Sequence, residues 1–145
     1  MRKSWRCPQV GTPQTERERQ LAESMMLGIN LQWCLEDFPQ ERLRGESDWD
    51  LDFYALAARV AYGDEAYGKE VICPRDGLLD SSIVDALRPS GKSKKATIFL
   101  SWCWQYKWKV VHSALRVWSG SKGIDPSDCY VWWCFWVNNQ FRLLQ

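Results

Sequence analysis

The chain is poor in the residues that most metal and acid–base chemistry needs. It has one histidine, His112, and no two of its six cysteines stand at Cys-x-x-Cys spacing. A Cys/His zinc site is left without its usual ligands. Long apolar runs are missing too. The longest, residues 130–137 with Cys129 before it, falls far short of the about 20 residues that a membrane-spanning helix requires. The opening Met1-Arg2-Lys3-Ser4-Trp5-Arg6 carries charge where a secretory leader needs an apolar core. A cytoplasmic, reducing setting with free thiols is therefore expected. Glycine and proline are sparse, at 9 and 6 residues, which excludes collagen-like and low-complexity classes.

What is abundant is tryptophan, 10 residues in a chain of 145. That many indoles implies an aromatic core, an aromatic binding surface, or both. Hydrophobic residues make up 46% and charged residues 26%, which excludes disorder as a description of the whole chain. The formal net charge of +1 is unevenly placed. Residues 1–70 hold 9 Lys/Arg against 13 Asp/Glu; residues 71–145 hold 10 against 5. A basic, aromatic half permits contact with nucleic acid. An excess this small is ordinarily a solvated face, so nucleic acid is not the expected main partner.

Two regions are expected: a helical one over 1–70 and an α/β one over 71–145. The first dozen residues read as a lead-in. Thr15-Glu16-Arg17-Glu18 has capping-box spacing, and Leu21, Met25 and Ile29 recur at intervals of four. This predicts a helix running towards Trp33, interrupted at Gly28 and ended by Pro39. A second helix is predicted over 48–62, with Ser47 as its cap. Cys73-Pro74-Arg75-Asp76-Gly77 has turn chemistry, Asp80 is placed to cap a short helix over 81–87, and 88–95 reads as a solvated connector.

The last third is the most patterned. Residues 96–101 form a short β-prone run. Trp108, Val111, Leu115 and Trp118 lie on one helical stripe, with Val110, Ala114 and Val117 beside it. Residues 130–137 are apolar throughout, as in a strand covered on both faces. Strand, helix and strand over 96–137 make a βαβ unit, so the fold class expected is α/β: a partial parallel sheet of flavodoxin type behind two or three N-terminal helices.

Few motifs carry chemistry. Ala86 to Ser93 approaches a phosphate-binding loop, but its neighbours are in the wrong order for one, and Pro89 removes an amide from it. Cys103 and His112 invite a dyad that only their nearness on one βα unit supports. Ligands of open α/β sheets sit beyond the carboxyl ends of the strands. Here those ends are Ser101, Trp102 and Trp104 on one side and Asn138, Asn139, Gln140 and Arg142 on the other. Amides and a hydroxyl can bind a ribose or base edge, the indoles can stack on a flat ring, and Arg142 can pair with a phosphate. The competing reading makes these residues cover for sheet edges and caps for turns.

Ala96-Thr97-Ile98-Phe99-Leu100-Ser101-x-x-Trp104-x-Tyr106 and Tyr130-Val131-Trp132-x-Cys134-x-x-x-Asn138-x-Gln140-x-Arg142 resemble an uncharacterised protist and algal TIR-like family, as does the block Cys73 to Gly77. The first strand is similar to the opening strand of TIR domains. That resemblance implies a flavodoxin-like sheet, self-association and, in some members, cleavage of NAD. The catalytic glutamate of such NADases belongs to a helix beyond the second strand, a position this sequence does not reach. A C-terminally truncated interaction or signalling module without a complete catalytic site is therefore expected, binding protein partners or itself. The alternatives are a fragment that binds NAD or another nucleotide, and a basic-aromatic module for nucleic acid. No resident cofactor or metal is expected.

Overall fold

The computed structural model describes residues 15–144. The lead-in expected over the first dozen residues, and Cys7 within it, lie outside them. The fold is of the α/β class, with a four-stranded mixed sheet whose first strand follows the first helix and is separated from the other three by the remaining N-terminal helices. The elements are α1 (Glu16–Met25), β1 (Leu27–Asn30), a π-helical turn (Trp33–Asp37), α2 (Phe38–Arg42), α3 (Glu46–Trp49), α4 (Phe53–Val60) and α5 (Ile83–Leu87). They continue with β2 (Ser93–Lys95), β3 (Ile98–Phe99), α6 (Trp108–Lys122), β4 (Tyr130–Trp132), α7 (Cys134–Val137) and α8 (Gln140–Leu143).

α1 starts as the capping box predicts. The Thr15 hydroxyl accepts the Glu18 amide at 3.1 Å, and the Glu18 carboxylate accepts the Thr15 amide at 2.9 Å. The helix stops at Met25, because the next residues are recruited into the sheet. β1 lies in the interior of the strand order β2-β1-β4-β3, antiparallel to both of its neighbours. Gly28 permits this: a Cβ there would stand 2.8 Å from the Val131 carbonyl carbon and 3.0 Å from Ala96 Cβ. The glycine expected to interrupt a helix is thus a point of close strand approach.

The parallel pair expected in the last third is present. β3 pairs with β4 in register Ile98↔Val131 and Phe99↔Trp132, with α6 between them in sequence. α6 buries Trp108, Val111, His112, Leu115 and Ser119, and ends at Gly123, whose φ of 62° suits a residue without a side chain.

Other boundaries differ from expectation. The helix over 48–62 is two helices, α3 and α4. Asp52 adopts extended backbone, bridges to Lys107 and caps α4 by accepting the Ala55 amide at 2.9 Å. Pro39 opens α2 instead of ending a helix. Ser82, not Asp80, caps α5. Residues 93–95 of the expected connector form β2. The run 130–137 is a strand only through Trp132 and then coils into α7. A two-residue β3 offers β4 no partner further along, and Phe135, Trp136 and Val137 all bury from the helical turn.

The core is aromatic. Trp33, Phe38, Phe53, Trp108, Trp133, Phe135 and Trp136 are almost fully buried and meet mostly edge-to-face; Trp33–Trp136, Phe38–Trp136 and Phe53–Phe135 are examples. The indole N–H groups of Trp33, Trp108, Trp133 and Trp136 have no hydrogen-bond acceptor among the described residues.

Candidate functional site

The seven residues at the strand ends divide between two places. Ser101 is exposed just beyond β3. Trp102 is half-buried: its Nε1–H donates to Cys134 Sγ at 3.0 Å, and its ring meets Phe53 at 4.3 Å and Trp104 at 5.1 Å. Trp104 lies against Tyr54 at 5.2 Å. These three residues share the end of β3.

The other four follow β4 at the end of α7 and in α8, and two of them, Asn139 and Arg142, reach the hairpin around residues 73–80. Asn138 is half-buried at the end of α7. Asn139 Nδ2 donates to the Asp80 carbonyl at 2.8 Å, and its Oδ1 caps α8. Gln140 Nε2 donates to the Cys134 and Phe135 carbonyls at 3.2 and 3.3 Å. Arg142 pairs with Asp76 at 3.0 Å and donates to the Leu79 carbonyl at 2.8 Å. Burial alone would raise the Asp76 carboxyl, but the Arg142 guanidinium and the Leu78 amide outweigh it and hold the group below its ordinary value. Asn139 and Arg142 therefore fasten α8 to the turn at residues 73–80, while Gln140 bonds back to the Cys134 and Phe135 carbonyls, the same segment that Trp102 meets through Cys134 Sγ and the Phe135 ring.

Cys103 and His112 have separate partners. The Cys103 thiol is 3.9 Å from Gln105 Oε1. His112 Nε2 lies 2.9 Å from the Leu35 carbonyl, which can only accept, so Nε2 carries the proton. Its ring stands edge-on to Trp49 at 4.8 Å. Burial lowers the His112 pKa, assisted by Arg116 and opposed by the Leu35 contact. Folding thus favours the neutral ring. Stability from this group is complete above the unfolded value of about 6.5 and is lost as pH falls through the lower folded value. Melting temperature is expected to drop as pH falls below about 6.5, and His112→Gln should flatten that slope. An unchanged slope would assign the pH dependence to other groups.

The five described cysteines are free thiols, and burial pushes the Cys34 and Cys129 thiols up, away from reactivity. Among the described residues no cluster of three or more His, Cys, Asp or Glu could hold a metal ion, and no helix is long and apolar enough to cross a membrane.

An apolar concavity lies between β3 and α6. It is about 470 Å³, and its lining includes Ile98, Leu100, Trp102, Tyr106, Val110 and Trp118. Phe99, Tyr106 and Val110 around it are more than half exposed. β3 ends the strand order, so its outer side has no neighbouring strand among the described residues. Of the seven strand-end residues that the sequence suggests, only Ser101 and Trp102 line this groove. The helical wall escapes that reading, although the stripe of α6, with Val110, Ala114 and Val117 beside it, is wider than one buried face needs. Comparison with known protein families, with curated proteins and with solved structures finds no match.

Proposed function

We propose that the protein is an interaction module of TIR-like signalling type that takes an extended, apolar segment of a partner protein between β3 and α6. One observation carries this reading: an unpaired strand edge coincides with an apolar groove of about 470 Å³. A strand edge supplies backbone hydrogen bonds to an added strand, and an adjoining groove takes its alternate side chains. The motifs at 96–106 and 130–142 support the TIR-like kinship.

Val110 is 52% exposed on the helical wall, so Val110→Glu places a charge in the groove without entering the core. Peptides selected from a random display library should be apolar, should protect the Phe99 amide, which points away from β4, from hydrogen exchange, and should lose about tenfold or more in affinity against Val110→Glu. Failure to select any peptide tighter than about 1 mM, or binders indifferent to the substitution, would refute the reading.

A further inference from the structure

The strand register divides the sheet into two unlike faces. Ile29 and Val131 pair with each other and point into the core. Alternation sends Gly28, Lys94, Thr97, Phe99, Tyr130 and Trp132 to the opposite face. There Lys94, Thr97 and Phe99 are exposed, Phe99 to 68%, and Tyr130 and Trp132 are half-buried. The aromatic residues are held in place. Trp132 Nε1 donates to the Met25 carbonyl at 2.9 Å, and the indole stacks on Phe99 with centroids 5.0 Å apart and planes 19° from parallel. Lys94 Nζ lies 5.8 Å from the centre of the Tyr130 ring. Lys94 and Lys95 form no ion pair among the described residues, while Lys92, next to them, pairs with Glu41 at 3.4 Å.

We propose that this face binds single-stranded nucleic acid, with bases stacked along Phe99, Trp132 and Tyr130 and phosphates met first by Lys94, since Lys95, paired with Leu27, alternates to the other side of β2. Oriented rings on the open side of a four-stranded sheet are a platform for unstacked bases, and every base has a face to offer. The charge agrees with a polyanion: the edge strand beside the rings is Ser-Lys-Lys, within a half of the chain that holds 10 basic residues against 5 acidic. An acidic peptide would satisfy the lysines but leave the rings without a role. A duplex keeps its base faces stacked internally and cannot use them. Phe99 borders the β3–α6 groove as well, whereas the helical wall with Val110 belongs to the groove and not to this face.

The test is fluorescence anisotropy with labelled oligonucleotides of about a dozen nucleotides, as single-stranded RNA, single-stranded DNA and duplex. Single strands are expected to bind, and raising salt from about 50 to about 200 mM should weaken them about tenfold, as two or three neutralised phosphates require. Phe99→Ala should lose about tenfold at constant salt, and Lys94→Glu should both weaken binding and flatten the salt slope. Both positions are exposed, and circular dichroism verifies that the variants fold. Val110→Glu should leave this binding unchanged. No binding at about 100 µM protein in low salt, duplex bound as well as single strand, equal competition by polyglutamate, or indifference to Phe99→Ala would each overturn the proposal. The ratio of RNA to DNA affinity decides which of the two sugars the face accepts.

Discussion

Asp85→Ala is expected to cost about 3–5 kcal/mol of folding stability, the penalty typical of leaving a buried charge without its partner. Asp85 heads α5 with its side chain 1% exposed, and Arg75 faces it with 11%. Arg75 Nε reaches Asp85 Oδ2 at 3.2 Å and Ser24 Oγ at 2.6 Å; its Nη2 reaches Ser82 Oγ at 3.2 Å and also the Val137 carbonyl. Ser24 and Ser82 donate in turn to the two Asp85 oxygens at 2.6 and 2.7 Å. This cluster ties α1, the turn at residues 73–77, α5 and the end of α7. Removing the carboxylate strands a guanidinium that retains only neutral oxygens. Asp85→Asn should fall between alanine and the native residue, because it restores polar contacts without the charge. Replacing both partners, Arg75→Met with Asp85→Leu, should recover much of the loss, since paired apolar substitution leaves no orphan. Urea denaturation of the native protein, Arg75→Met, Asp85→Leu and the double variant closes a double-mutant cycle. A coupling near zero would mean that water already serves both groups.

The legibility of the fold follows the range of the interactions that build each element. The Thr15 capping box and the α6 stripe are local patterns, and both are readable. The parallel β3–β4 pair is readable because a helix of connecting length separates two β-prone runs. β1 is not: its partners, Ser93–Lys95 and Tyr130–Trp132, lie far away in sequence, so nothing near Gly28 announces them. β2 is hidden because Ser-Lys-Lys has no strand propensity of its own and takes its shape from β1. The run 130–137 is ambiguous in a known way, since a short, wholly apolar segment has no period to separate strand from helix. That ambiguity governs the site. Coiling of 134–137 redirects the residues that follow, so that Asn139 and Arg142 reach the hairpin at 73–80 and Gln140 turns back onto α7. The groove and the ringed sheet face then depend on what the shortened strands leave uncovered: an outer edge at β3, and Phe99 beside Trp132.

The same helical turn places Trp136 at the centre of the aromatic core, and Trp136→Ala is expected to cost about 3–5 kcal/mol, with loss of most near-ultraviolet circular dichroism. Trp136 is fully buried and packs edge-to-face on Trp33 at 5.7 Å, Phe38 at 5.0 Å, Trp133 at 5.7 Å and Phe135 at 4.8 Å. Its neighbours come from the π-helical turn, α2, the end of β4 and α7, so a void there loosens contacts between segments distant in sequence. Size and polarity act in opposite directions at this position. The indole fills volume and gains ring contacts, yet its N–H has no acceptor among the described residues. Trp136→Phe deletes that unsatisfied donor while keeping an aromatic edge and face, so it should cost less than half of what alanine costs. If phenylalanine proved as damaging as alanine, the indole N–H would be making a strong hydrogen bond, and an ordered water in the core would be the first group to look for. The pair of variants thus separates packing from polarity in a core where four buried indoles present the same question.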